Sequence, residues 1–90
     1  MVRFYMNIDT SKIEGILTKL KRRDISLFRA VQRKINQIAQ LDKTAIQHFK
    51  NLRGDLKDYK RVHVGSFVLM FKLEGDTVIF GKFMHHDDAY

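Results

Sequence analysis

Histidines, cations and a terminal tyrosine are concentrated in the last third of the chain. The side chains there that could act at a phosphate or move a proton are Lys60, Arg61, His63, His86 and Tyr90. Histidine titrates near neutral pH and can accept or donate a proton. Lysine and arginine bind phosphate oxygens, and arginine does so with a planar fork. These residue types therefore indicate a site that binds a phosphate group and transfers protons.

These residues also have a purely structural interpretation. His63 can be a hydrogen-bonded histidine within a sheet, and the last residues can form a solvated or frayed tail. The run from His85 to Asp88 carries groups that bind Zn, Ni or Mn. However, adjacent residues rarely close around one ion, and the sequence has no helical H-x-x-x-H spacing. We therefore predict no metal and no cofactor.

Length and charge limit the kinds of partner that the chain can have. Its 90 residues predict a single domain over residues 1–90. The net charge of +7 favours a polyanion such as a nucleic acid or the ribosome, with an acidic protein as the alternative. The absence of cysteine excludes disulfides and thiolate chemistry. No segment approaches the roughly 20 apolar residues of a membrane span, so we expect a soluble, cytoplasmic protein.

A second group of cations lies outside the last strands. The candidate RNA-binding residues in it are Lys19, Lys21, Arg22, Arg23, Lys50 and Arg53. The first four crowd the end of a predicted helix, where cations suit the helix dipole. These four residues fit two alternatives, a contact with ribosomal RNA or a solvated helix end. His48, in the same connector as Lys50, has no predicted role.

The N-terminal half predicts a strand followed by a helical hairpin. Residues 2–8 are typical of a strand, and Ser11 and Glu14 have the spacing of a capping box for the first helix. Asp24 predicts the cap of a second helix that reaches about Leu41. The apolar stripe of that helix is formed by Leu27, Phe28, Val31, Ile35 and Ile38.

The remaining residues predict a connector and three strands. Residues 42–58 fit a helical turn or an extended connector, and strands are expected at 59–64, 67–73 and 77–84. Alternation in the first of these strands places Lys60 on one face, and Arg61 and His63 on the other. We predict an α+β fold in the order β-α-α-β-β-β. In it, a three-stranded antiparallel meander carries the helices on one face and leaves the other face and its rim free.

This arrangement resembles the RelE/ParE superfamily of toxin–antitoxin toxins. The element order, length and basic charge agree over the whole chain, and the local sequence agrees over LRG, DLKDYKRVHV, FVLMFKLEGDTVIF and HHDDAY. DYKRVHV and the spacing of His86 and Tyr90 resemble the YafQ-like branch, whose members cleave messenger RNA on the ribosome. The resemblance implies a toxin that inhibits translation as a ribosome-dependent mRNA endonuclease. It also implies ribosome and mRNA as partners and a cognate antitoxin, which we expect to be acidic.

The sequence also departs from the pattern of this family. RelE is similar at Lys60, but the arginine of its central hairpin falls here on Val68, and its arginine near the tail has no counterpart at residues 84–86. YafQ-like members have an acidic residue shortly after the strand histidine, where this chain has Gly65 and Ser66. Asp87 or Asp88 could supply this acidic function, or the chain could lack it. These departures favour a histidine-based site over an arginine-rich one.

RNA can be cleaved without a metal when its 2′-hydroxyl attacks the adjacent phosphate. The attack needs a base, cations for the phosphate oxygens and an acid for the departing 5′-oxygen. We expect His63 or His86 to act as the base or the acid. Lys60 and Arg61 would stabilise the transition state, although they point to opposite faces of an ideal strand. Tyr90 is expected to stack on a base or to orient the phosphate.

Two other functions fit the same sequence. A ParE-type toxin binds DNA gyrase and does not need the titratable cluster. A catalytically inactive homologue would bind RNA or protein through its charge, and the missing arginines at Val68 and near Met84 fit such a protein. Cuts in translated message would indicate the endonuclease, and inhibited supercoiling would indicate the ParE-type toxin. Salt-dependent binding without either effect would indicate the inactive homologue.

Overall fold

A mixed sheet of four strands forms the frame of the molecule. The computed structural model describes residues 6–89. Its strands are β1 (Asn7–Asp9), β2 (Lys60–Val64), β3 (Phe67–Glu74) and β4 (Thr77–His85). Its helices are α1 (Glu14–Arg23), α2 (Ile25–Ala39), α3 (Lys43–Gln47) and α4 (His86–Ala89), with 3-10 turns at Ser11–Ile13 and Gly54–Leu56. The predicted α+β class is confirmed.

The strand order across the sheet is β1-β4-β3-β2. The predicted antiparallel meander is confirmed, because β2 pairs with β3 and β3 pairs with β4 in antiparallel registers. Gly65 and Gly75 make its two tight turns at φ values of 59° and 58°, in the left-handed region that glycine enters without steric cost. β1 joins the far edge of the sheet parallel to β4.

The helical hairpin covers one face of this sheet. The predicted Asp24 cap is confirmed, since Asp24 Oδ1 accepts a hydrogen bond from the Leu27 N–H at 3.1 Å. The core joins residues from α1, α2 and α3 to the helix-side residues of the strands. Its fully or nearly fully buried members include Ile13, Leu17, Val31, Ile35, Ile38, Ile46, Val64, Leu69, Phe71, Val78, Phe80 and Phe83.

Several predicted boundaries are wrong. Ser11 does not cap a helix, because its N–H and Oγ both donate to Asp9 Oδ1, at 2.9 and 2.6 Å. These two hydrogen bonds lower the pKa of Asp9 from its ordinary value. α2 ends at Ala39 rather than near Leu41, and α4 was not predicted. The predicted first strand overlaps β1 only at its end, and residues 2–5 lie outside the described residues.

The face of the sheet away from the helices is less open than predicted. Val68 and Met70 belong to this outer face by alternation, yet both are completely buried, and Ile79 is 8% exposed. Two of the candidate site residues lie at the rim of this face. Arg61 and His63 lie there on β2, which is the edge strand of the sheet.

Candidate functional site

A pair of histidines lies at the rim of the outer face. His63 projects from β2, and His86 is the first residue of α4, directly after β4. The backbone N–H of His86 donates to the Ser66 carbonyl in the β2–β3 turn at 2.8 Å, which fixes the start of α4 beside β2. The two imidazole centroids are 5.6 Å apart with the rings tilted by 35°. Two residues distant in sequence are thus close enough to contact the same phosphate.

A carboxylate lies beside this pair. Asp87 Oδ1 is 3.8 Å from His86 Nδ1, and Asp87 Oδ2 is 3.6 Å from His85 Nδ1. His85 points elsewhere, because its ring packs edge-on against Phe67 at 5.3 Å and its Nδ1 accepts the Asp87 N–H at 3.2 Å. Of the two aspartates considered from the sequence, Asp87 is the one placed against His86.

A basic cleft lies at the same rim. It measures about 540 Å³ and is lined by Lys50, Asn51, Leu52, Arg53, Leu56, Arg61 and Ala89. Arg61 precedes His63 by two residues on the same face of β2, so the two side chains start roughly 6.6 Å apart along the strand. The cleft thus joins two predicted RNA-binding residues, Lys50 and Arg53, to a predicted catalytic cation.

Lys60 lies on the opposite face of β2 and is not brought to this site. It is 9% exposed, and its ammonium donates to the Phe49 carbonyl at 2.9 Å, to Asn51 Oδ1 at 2.7 Å and to the Gln47 carbonyl at 3.5 Å. A buried cation needs such partners. Lys60 therefore anchors the connector between α3 and β2, while Arg61 is the cation that accompanies the histidines.

The other predicted residues are also separate from the histidine pair. Lys19, Lys21, Arg22 and Arg23 are exposed on α1, in the helical layer, and Lys21 Nζ lies 5.9 Å from the ring centroid of Phe28. His48 is exposed at the end of α3. Tyr90 lies outside the described residues, so its expected role stays a prediction.

The two positions at which the chain departs from the RelE pattern lie next to the histidines. Val68 is paired with His63 on one side and with Met84 on the other. The three residues form one row across the sheet, and Val68 is completely buried in it. Beyond His63 this row is apolar, with Val68 and Met84 at the places where the RelE pattern has arginines, and the cation Arg61 lies farther along the rim.

The described residues contain neither a metal-binding group nor a membrane-spanning helix. Among residues 6–89, no three histidine, cysteine or carboxylate side chains lie together in a group that could hold a metal ion. None of the helices within that range is long and apolar enough to cross a membrane.

Comparison with known proteins places the chain in a family. It is 43% identical over 81 residues to the protein named "Putative toxin RelE4" of Methanocaldococcus jannaschii, an alignment that covers 87% of this chain and 82% of that protein. No family model matches the chain, and no solved structure does. The identity and coverage show that the chain belongs to the RelE family of toxins. Membership makes it the toxin of a toxin–antitoxin system and implies a cognate antitoxin as its partner.

Sequence reasoning missed two features of the site. The apolar lining of the basic cleft, Leu52 and Leu56, lies in a connector without periodicity, so no pattern marked it. The short helix α4 had a signal, because the aspartates at 87–88 follow its first residue and carboxylates are favoured in the first turn of a helix.

Proposed function

We propose that this toxin is a metal-independent endoribonuclease that cleaves messenger RNA on the ribosome and thereby inhibits translation. The observation that carries the proposal is the contact between His63 and His86, with ring centroids 5.6 Å apart at an exposed rim beside Arg61. Proton transfer to and from a phosphate diester needs two such groups. The family membership and the charge of +7 support RNA on the ribosome as the substrate.

In this mechanism one histidine accepts the proton of the 2′-hydroxyl as its oxygen bonds to phosphorus. The other histidine donates a proton to the 5′-oxygen as the bond from phosphorus to that oxygen breaks. The products are a 2′,3′-cyclic phosphate and a free 5′-hydroxyl. Arg61 stabilises the negative charge on the phosphate oxygens, and Asp87 orients His86. Tyr90 keeps the role expected from the sequence, which is to stack on a base or to orient the phosphate.

The test compares three single histidine variants of the full chain. Ribosomes translating a defined message are incubated with the wild type or with H63A, H86A or H48A, and new 5′ ends are mapped. We expect H63A and H86A each to slow cleavage by about 10²- to 10⁴-fold. His48 is exposed and lies away from the pair, so H48A is the matched control and should cleave normally. Cleavage that continues unchanged in the double variant H63A/H86A would refute the proposal.

The pH dependence gives a second test of the same roles. One histidine must act in its neutral form and the other in its protonated form, so the cleavage rate should pass through a maximum as the pH is varied. Removal of either histidine should abolish one limb of that profile. DNA supercoiling by gyrase, assayed in parallel with the wild type, should be unaffected. Inhibited supercoiling without cuts in the message would instead indicate the ParE-type activity.

A further inference from the structure

The basic cleft has the properties of a binding site for one nucleotide. Three cations line it, Lys50, Arg53 and Arg61, and no carboxylate of the described residues does so. Two half-buried leucines, Leu52 and Leu56, supply an apolar surface between them. Its volume of about 540 Å³ falls within the range of roughly 300–1,000 Å³ that is typical of small-molecule pockets.

We propose that this cleft binds the nucleotide adjacent to the cleaved bond of single-stranded RNA. Its phosphate contacts Lys50, Arg53 and Arg61, and its base lies on Leu52 and Leu56. This inference rests on the proposed function, because it needs the RNA strand to run from the histidine pair into the cleft. Arg61 and His63, on the same face of β2, connect the cleft to the histidine pair. Their separation of roughly 6.6 Å on β2 is on the scale of one sugar–phosphate unit.

The wall of the cleft is built before any ligand binds. The segment that carries Lys50, Leu52 and Arg53 is tied to β2 by the Lys60 ammonium through the Phe49 carbonyl and Asn51 Oδ1. The Leu52 N–H also donates to the Tyr59 carbonyl at 2.8 Å, next to the bridge between Asn51 and Lys60. A fixed wall lowers the entropic cost of binding, because the backbone that carries the cations does not have to be ordered by the ligand.

The arrangement favours RNA over an acidic protein segment. The cations converge on one concave site with an apolar floor, whereas the carboxylates of a peptide project singly along its length. Arginine matches two oxygens of one phosphate with its planar fork, and two of the three cations are arginines. The histidine pair, which an acidic segment would not need, lies at the adjacent position on β2.

Binding can be measured without cleavage. The probe is a fluorescein-labelled uridine hexamer with 2′-O-methyl groups, which cannot be cleaved. The readout is the fluorescence anisotropy of this probe as the full chain is added at several salt concentrations. We expect K50Q and R53Q each to weaken binding about tenfold, as expected for loss of a charge-assisted hydrogen bond. The double variant should lower the slope of log affinity against log salt by up to about 0.7, the value for one phosphate on a single strand. The control R29Q/R33Q removes the same charge from exposed positions on α2. It should change the affinity and the salt slope by less than K50Q/R53Q does.

A second comparison tests the base contact. L56A should weaken the hexamer about fivefold, in proportion to the apolar area it removes, but should not weaken an abasic strand of equal charge. Thermal unfolding of each variant checks that the fold is retained. Equal losses with both strands would overturn the role of the leucines.

The outcomes separate this inference from the proposed function. If K50Q/R53Q binds the hexamer like the wild type, the cleft proposal is wrong even if the histidine variants abolish cleavage. If a polyglutamate peptide of equal charge binds as tightly and responds to the same variants, the cleft is a site for an acidic protein and the proposal is also wrong. If the wild type never cleaves message but K50Q/R53Q loses hexamer binding, the cleft proposal is supported and the nuclease proposal is refuted.

Discussion

The two faces of β2 place consecutive cations in opposite environments. Lys60, on the helix side, is 9% exposed and donates to two backbone carbonyls and to Asn51. Arg61, on the outer side, is exposed and lines the basic cleft beside His63. Both residues fit a phosphate site when only their type is considered. The comparison shows that the side of the strand, more than the residue type, assigns one cation to the fold and the other to the site.

The same division explains the apolar row that replaces the expected arginines. Val68 lies on the outer face like His63, yet it is completely buried in the centre of β3. The outer face therefore has a buried centre at Val68, and the candidate site residues His63, His86 and Arg61 lie at its rim.

The largest effect on stability is expected from restoring an arginine in this row. V68R would place a charge at a completely buried position without a partner, so we expect the free energy of unfolding to fall by about 3 kcal/mol or more. Denaturant unfolding measures this loss. K82R, at an exposed position of β4, is the control and should change stability by less than about 0.5 kcal/mol. A stable V68R protein that cleaves faster would show that the row is open to RNA and that the division between centre and rim is wrong.

An intermediate effect is expected when the neighbouring cations are compared directly. K60M keeps the length of the side chain but leaves the Phe49 carbonyl and Asn51 Oδ1 without their donor, which should cost about 2–3 kcal/mol. R61M should cost less than about 1 kcal/mol, because Arg61 is exposed. The cleavage rate should fall more in R61M than in K60M when both proteins are assayed well below their unfolding temperatures. Equal losses of stability in K60M and R61M would show that the two faces of β2 do not give these cations different roles.

The fold was predictable where the pattern was local. The alternation in β2, the Asp24 cap and the turn at Gly65 each depend on a few adjacent residues, and the structure confirms all three. The capping box at Ser11 was wrong, because the Ser11 N–H that the Glu14 carboxylate would accept in such a box donates to Asp9 Oδ1 instead. Local pattern cannot decide between two acceptors that both have suitable spacing.

The sequence suggested several residues of the candidate site but not their arrangement. His63 and His86 were named from their chemistry, but their contact depends on the start of α4, which the Ser66 carbonyl fixes. The burial of Lys60 could not be predicted, because lysine is rarely buried and its partners are carbonyls that any sequence supplies. Whether a cation faces the core or the site is a property of the tertiary structure.

A smaller effect tests how the outer face is closed next to Arg61. Tyr59 lies against Gly81, and a Cβ at position 81 would be 2.6 Å from Tyr59 Oη and 2.7 Å from its Cε1. G81A would therefore displace the ring, which also lies 5.5 Å from Lys72 Nζ, and should cost about 1–2 kcal/mol.

A double-mutant cycle identifies the cause of that cost. In a Y59A background the clash is absent, so G81A should cost less than about 0.5 kcal/mol, and denaturant unfolding of the four proteins gives the coupling. G15A, in α1 where nothing lies within 4 Å of the new Cβ, is the control and should stabilise the protein by about 0.5–1 kcal/mol. If G81A costs the same with and without the tyrosine ring, Tyr59 does not close the outer face.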